Sequence, residues 1–133
     1  MKPTDIEAVT DQTLNLASVR RFQREFAAAR EWDQFHTPKN LAMALAGEAG
    51  ELLEIFQWLT PEQSARVADT AQGREAIEHE LADVLGYVIR LADVLGVDLN
   101  RALWNKLRLN GEKYPVEQAR GNARKYSELG GGG

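Results

Sequence analysis

The sequence predicts an all-α fold built from four helices, and three observations lead to that prediction. Apolar residues recur at helical spacing over four separate segments of the 133-residue chain. Proline, glycine and capping residues separate those segments. No alternating β-branched run occurs, and no Asn-Gly turn joins two runs of that kind.

The first two helices are predicted from apolar spacing and from their start and stop signals. The first runs from about Asp11 to Arg30, where the spaced apolar residues are Leu14, Val19, Phe22, Phe26 and Ala29. A loop with two aromatic residues, Trp32–His36, follows. Thr37 and Pro38 are typical of an N-cap and a first helical position, so the second helix begins there. It ends before Thr60-Pro61.

Two short signals precede the third helix. Thr60 and Gln63 have the spacing of a capping box, which predicts a short helical turn. Gly73 is expected to break the chain. The third helix then runs from about Arg74 to Leu95, and Gly96 ends it.

The fourth helix carries two polar residues in line with its apolar face. Asp98 caps it, and it reaches about Lys113 before Tyr114-Pro115 stops it. Lys106 and Asn110 continue the line of Leu99, Leu103 and Leu107. A phosphate would suit Lys106, and a sugar hydroxyl or phosphate would suit Asn110. A snorkelling lysine and a helix-end asparagine explain the pattern equally well.

Length and composition limit the possible functions. We expect a single domain over residues 1–133, with an ordered core at about 12–129 and a glycine-rich tail at 130–133. The net charge of −4 and the pI of about 5.2 argue against a nucleic-acid polymer as partner. The absence of cysteine excludes disulfides and thiol chemistry. No segment resembles a membrane span or a signal peptide, so a cytoplasmic location is expected.

Two acidic pairs lie inside otherwise apolar runs. Glu48 and Glu51 fall in the run 45–58, and Glu80 and Asp83 fall in the run 80–87. Residues three apart are neighbours on one helix face, where like charges repel, and partial burial increases the repulsion. A divalent cation is the simplest group that would neutralise them. Helical phase places Trp58 and Tyr87 on the same flanks and points Glu54 and Glu78 elsewhere.

Three other interpretations compete with this metal site. The acids could be ordinary members of amphipathic helices, which is the usual explanation of a single pair but a weaker one for two. A di-iron or di-manganese bundle needs Glu-x-x-His, but Ala76 stands three residues before His79 and Asp33 three before His36. A catalytically weak helical oligomer that binds nucleotide stays open as an alternative function.

The acidic pattern resembles a known signature. Glu48-x-x-Glu51 followed by Glu80-x-x-Asp83 is similar to that of the MazG-like all-α NTP pyrophosphohydrolases. The likeness extends over about residues 18–129 and is strongest to the dCTP pyrophosphatase branch. The segments that carry it are 26–40, Phe56-Gln57-Trp58, Lys106–Asn110 with Tyr114-Pro115, and 124–129.

The resemblance implies an activity and a role for each matched residue. Mg²⁺ or Mn²⁺ would be held by Glu48, Glu51, Glu80 and Asp83. Lys106 and Asn110 would hold phosphates and sugar, and Trp32, Trp58 and Tyr87 would line the base pocket, with Trp32 able to reach a neighbouring subunit. The reaction implied is hydrolysis of a nucleoside triphosphate, dCTP or a modified dCTP, to the monophosphate and pyrophosphate, which clears such nucleotides from the pool. The family also implies a homo-oligomer, a tetramer or a dimer.

One position departs from the pattern of that branch. Its eukaryotic dCTP-specific members carry a histidine on the first helix where this chain has Gln23. A glutamine amide can both donate to and accept from a base edge. A base pocket is therefore still expected, but a preference for cytosine does not follow from the resemblance alone.

Overall fold

The computed structural model describes residues 14–125 and residue 127, and the described part is helical without any strand. This confirms the all-α prediction. The α-helices are α1 (Leu16–Ala29), α2 (Pro38–Phe56), α3 (Pro61–Ser64), α4 (Ala71–Leu95), α5 (Leu99–Lys113) and α6 (Val116–Ala119). Short 3₁₀ turns lie at Asp33–Phe35 and Val67–Asp69. None of the helices in these residues is long and apolar enough to cross a membrane.

Helix α1 begins later than its apolar spacing predicts. Asn15 is the N-cap, and its side chain accepts a hydrogen bond of 3.1 Å from the Ser18 amide. The predicted start at Asp11 lies outside the described residues. Leu14 therefore precedes the helix and is exposed.

Helix α2 begins at Pro38 and ends before Thr60-Pro61, both as predicted. The Thr37 side chain accepts from the Asn40 amide at 3.2 Å, and Pro38 occupies the first helical position. The last residue of the helix is Phe56, and Thr60 then caps α3 in extended backbone, with φ −71° and ψ 162°. Trp58 consequently lies in the turn after α2. Its predicted placement by helical phase was wrong.

The segment before α4 confirms one prediction and overturns another. The Thr60–Gln63 capping box is present, with both of its hydrogen bonds. Gly73, however, does not break the chain but lies in the first turn of α4, where its amide donates to the Thr70 side chain. A Cβ at residue 73 would stand 2.0 Å from the Val67 carbonyl oxygen. Glycine is needed there for close approach of two backbones rather than as a helix breaker.

The chain divides into two compact units, one up to Val97 and one from Asp98. In the first unit α2 packs against α4, and α1 packs against α4. Its buried apolar residues are Ala27, Leu41, Ile89 and Ala92. Gly96 ends α4 with φ 70°, as predicted.

The second unit consists of α5 and α6. The Asp98 side chain caps α5 by accepting from the Arg101 amide at 3.0 Å, and the helix ends at Lys113 as predicted. Helix α6 was not predicted. No residue of α5 is fully buried in this chain, and its apolar residues Leu103, Trp104 and Leu107 are exposed.

Candidate active site

Three of the predicted acids meet where α2 packs against α4. Glu48 comes from α2, and Glu80 and Asp83 come from successive turns of α4. One carboxylate oxygen of each lies within 4.8 Å of those of the other two. Side chains separated along the sequence by more than 30 residues thus form a single acidic cluster. We call Glu48, Glu80 and Asp83 the acidic cluster.

The acidic cluster is electrostatically strained without a cation. A shared hydrogen bond with Glu80 is the main reason that the pKa of Glu48 rises to about 7, and partial desolvation adds to it. The neighbouring Glu51 and Asp83 charges raise it further. One carboxylate oxygen of Glu48 and one of Glu80 are buried without a hydrogen-bond partner. Oxygen donors that crowd together and lack partners fit a hard divalent cation such as Mg²⁺.

The remaining acids of the two helices differ in position. Glu51 is exposed and is not part of the 4.8 Å group, although it lies close enough to raise the pKa of Glu48. Glu54 and Glu78 are exposed, and Glu78 is 4.0 Å from Arg74 in a helical i,i+4 pair. The structure therefore brings three of the four predicted site acids together and leaves Glu51 beside them, whereas Glu54 and Glu78 are not part of the group.

An aromatic cavity of about 310 Å³ opens beside the acidic cluster. Asp83 belongs to both features, so the cavity and the acids form one continuous site. Among its lining residues are three predicted base-pocket residues, Gln23, Trp32 and Tyr87. The other lining residues are Phe22, Phe26, His36, Ala82, Gly86 and Arg90. A largely aromatic wall next to an anionic cluster suits a planar base whose phosphates reach a metal.

Trp32 is held at the cavity by the end of α1. Its amide donates to the Ala27 carbonyl at 2.9 Å, and the Glu31 amide donates to Ala28 at 3.1 Å. This pair is a Schellman motif, in which the residue at the turn normally is glycine. Glu31 occupies that position with φ 55°. The Trp32 ring then meets the Phe26 ring edge-on, with centroids 5.7 Å apart.

Gln23 reaches across from α1 to α4. Its Nε2 donates a hydrogen bond of 2.8 Å to the Gly86 carbonyl. Its Oε1 is buried and has no hydrogen-bond partner. The amide nitrogen of Gln23 is thus held by a hydrogen bond, whereas its amide oxygen has no hydrogen-bond partner.

The sequence reasoning missed a buried arginine in the cavity wall. Arg90 is only 7% exposed. Its Nε donates to His36 Nδ1 and its Nη2 to Asp33, each at 3.0 Å. Burial lowers the pKa of His36, and the Arg90 charge adds to the effect. The signal available was a lone charge inside the apolar run 87–92, Tyr-Val-Ile-Arg-Leu-Ala.

A second missed group joins α1 to α4 behind the cavity. The Asp93 side chain is 5% exposed and accepts from Arg24 Nε at 2.7 Å. Arg90 and Arg20 lie 3.6 Å and 3.8 Å from it. The hydrogen bonds from Arg24 hold the pKa of Asp93 below its ordinary value, with further help from all three arginine charges. This clamp links the helices that carry Gln23 and Tyr87.

Three predicted site residues are not among the residues that line the cavity. Trp58 is 87% exposed and is not among the lining residues. Lys106 is exposed and Asn110 half-buried on α5, one turn apart in the second unit. Their predicted roles stay predictions.

Comparisons with known proteins identify the family of this chain. Residues 44–129 match the model of the MazG-like family. The chain is 46% identical over 114 residues to dCTP pyrophosphatase 1 of Rattus norvegicus and of Homo sapiens, covering 86% of this chain and 67% of each relative. It is also similar to a crystal structure of a pyrophosphatase from Archaeoglobus fulgidus, with a TM-score of 0.70 and 37% identity over 78% of this chain and 95% of that one.

Proposed function

The chain belongs to the MazG-like family, and from that premise we propose that it is a Mg²⁺-dependent nucleoside triphosphate pyrophosphohydrolase acting on dCTP or a modified dCTP. The products are the nucleoside monophosphate and pyrophosphate. The observation that carries the proposal is the shared position of Asp83, which joins the acidic cluster to the aromatic cavity. An enzyme of this kind would clear its substrate from the nucleotide pool of the cytoplasm.

The acidic cluster supplies the metal ligands in this proposal. Glu48, Glu80 and Asp83, with Glu51 beside them, would hold Mg²⁺, and Mn²⁺ would fit the same oxygen donors. The bound ion would offset negative charge that develops on the triphosphate. Its binding would also relieve the repulsion that raises the pKa of Glu48.

The chemistry needs a proton acceptor and no covalent nucleophile. A carboxylate of the acidic cluster accepts a proton from the water that attacks the α-phosphorus. The bond from the α-phosphorus to the bridging oxygen breaks, and pyrophosphate leaves with that oxygen.

The aromatic cavity would hold the base. Trp32 and Tyr87 offer ring faces, and stacking on such a face contributes about 1–3 kcal/mol per base. Trp58 would add a further stacking surface, because so exposed a tryptophan has little other function within this chain. Lys106 and Asn110 would bind phosphate and sugar, as the family resemblance implies.

A homo-oligomer, a tetramer or a dimer, is part of the same proposal. Large apolar residues are exposed on the two helices that carry the acids: Met43 and Leu53 on α2, and Leu81 and Leu85 on α4. Many exposed apolar side chains on packed helices are typical of a subunit surface. Light scattering of the purified protein would measure the assembly directly.

The test is a pyrophosphate-release screen over the deoxynucleoside and ribonucleoside triphosphates. We expect turnover with Mg²⁺, highest for dCTP or a modified dCTP, and none in excess chelator. Glu80→Gln should abolish turnover, whereas Glu78→Gln, an exposed acid on the same helix, should keep it within a few-fold. Full activity in chelator, or no pyrophosphate from any nucleotide, would contradict the proposal.

A further inference from the structure

We infer that Gln23 selects the base through its Oε1 atom, which accepts a hydrogen bond from the exocyclic N4 amine of cytosine. This inference rests on the proposed function and deepens it by naming the atom that reads the base. Gln23 lines the aromatic cavity and carries a buried acceptor without a partner.

The orientation of the Gln23 amide is fixed by its contact with α4. The Gly86 backbone carbonyl can only accept a hydrogen bond, so the side-chain atom 2.8 Å from it must be the NH₂ group. Rotating the amide by 180° would bring two acceptors together at that distance. Oε1 is therefore the atom that remains for a ligand, and it can only accept.

The unsatisfied oxygen lies in a cavity lined by aromatic rings. Phe22 and Phe26 flank Gln23 on α1, and Trp32 and Tyr87 complete the aromatic wall. A buried polar atom without a partner is costly and normally finds one in the functional complex. A ligand that donates to Oε1 gains this hydrogen bond, and a ligand that cannot donate leaves the atom unpaired.

Cytosine has a single donor group on its pairing edge, the N4 amine, whereas uracil and thymine carry an O4 acceptor at the same place. With a cytosine base in the cavity, the N4 amine is therefore the only edge group that can satisfy Oε1. Uracil and thymine do carry a donor, N3–H, but it lies one position along that edge, so a uracil base seated like cytosine would place its O4 acceptor against Oε1. The expected order of preference is dCTP first, then the analogue with hydrogen at position 4, then dUTP.

Binding and turnover together test this inference. Binding of the non-hydrolysable α,β-imido forms of dCTP, dUTP and the 4-hydrogen (2-pyrimidinone) analogue is measured by calorimetry with Mg²⁺. Hydrolysis of the ordinary triphosphates is measured by pyrophosphate release. Loss of the amine should weaken binding by about 5- to 150-fold, the range set by leaving one buried acceptor unpaired.

Gln23→Leu is the test variant, and Gln72→Leu, the same change at an exposed position of α4, is its matched control. We expect Gln23→Leu to bind the imido forms of dCTP and dUTP within about three-fold of each other, because the acceptor that discriminates them is gone. Gln72→Leu should keep the wild-type ratio. Melting temperatures of both variants show whether each is folded, and Gln23→Met provides a second, unbranched replacement.

The outcomes separate this inference from the proposed function. Wild-type protein that binds imido-dUTP as tightly as imido-dCTP overturns the inference, even if both triphosphates are hydrolysed. An unchanged ratio in folded Gln23→Leu or Gln23→Met overturns it as well. Selective binding of imido-dCTP without any pyrophosphate release would instead uphold the role of Gln23 and refute the activity.

Discussion

Replacing Glu48 by glutamine should change the stability of the metal-free protein in a pH-dependent way. In the folded protein the pKa of Glu48 is raised from 4.5 to about 7, chiefly by the hydrogen bond shared with Glu80. An unfolded chain keeps the ordinary value. Between these pH values the folded state holds more protons than the unfolded state, so wild-type stability falls as pH rises through this window. Glu48→Gln removes this titratable group, which accounts for a difference of up to one bound proton between the folded and the unfolded state.

The assay is urea unfolding at pH 4.5, 6 and 8 in excess chelator. Between pH 4.5 and pH 8, the free energy of unfolding of wild type should fall more than that of Glu48→Gln. At pH 8 the variant should be at least as stable as wild type. Glu54→Gln, an exposed acid on the same helix, is the matched control and should follow the wild-type trend.

A divalent metal ion should make wild type more stable than Glu48→Gln at pH 8. At pH 8 a saturating divalent ion stabilises wild type, by about 2.7 kcal/mol at a concentration of 100 times Kd, and stabilises Glu48→Gln much less. Turnover of the variant should fall by two orders of magnitude or more, since even changes around metal ligands cost about 10- to 100-fold. Identical pH trends for wild type and Glu48→Gln would refute the crowded-acid interpretation of this site.

Three further variants test other parts of the structure. Asp93→Asn should lower the free energy of unfolding by about 2–4 kcal/mol in urea at pH 7, less than for a fully buried pair because Arg24 is exposed; a change below 0.5 kcal/mol would show that the clamp is unimportant. Trp58→Ala should weaken nucleotide binding about 5- to 150-fold by calorimetry with little change in melting temperature, because the side chain is 87% exposed; unfolding of this variant would disprove its assignment. Glu31→Gly should raise stability by about 0.5–1 kcal/mol, because φ 55° suits glycine; a lower melting temperature would argue against strain there.

Local signals in the sequence predicted most of the helix ends. Thr37, Thr60 and Asp98 all cap helices as predicted, because a capping side chain acts on an amide only two or three residues away. The prediction for Gly73 was wrong. Glycine is needed at this position because the Val67 carbonyl lies close to it, and sequence spacing does not reveal that contact.

The candidate site was predictable where one helix determines the geometry. The i,i+3 spacing places Glu80 and Asp83 together on α4, and the pattern also identified Glu48 as their partner. The contacts of Arg90 with Asp33 and His36 span more than 50 residues and depend on how α4 meets the turn after α1. Such tertiary contacts have no local signature beyond an unexpected charge in an apolar run.

The most direct measurement of the central claim is hydrolysis of dCTP in ¹⁸O-labelled water with Mg²⁺, followed by mass spectrometry of both products. If water attacks the α-phosphorus at the acidic cluster, the label appears in dCMP and the pyrophosphate stays unlabelled. Glu80→Gln should yield neither product above background. Label in the pyrophosphate, or release of orthophosphate in its place, would contradict the account.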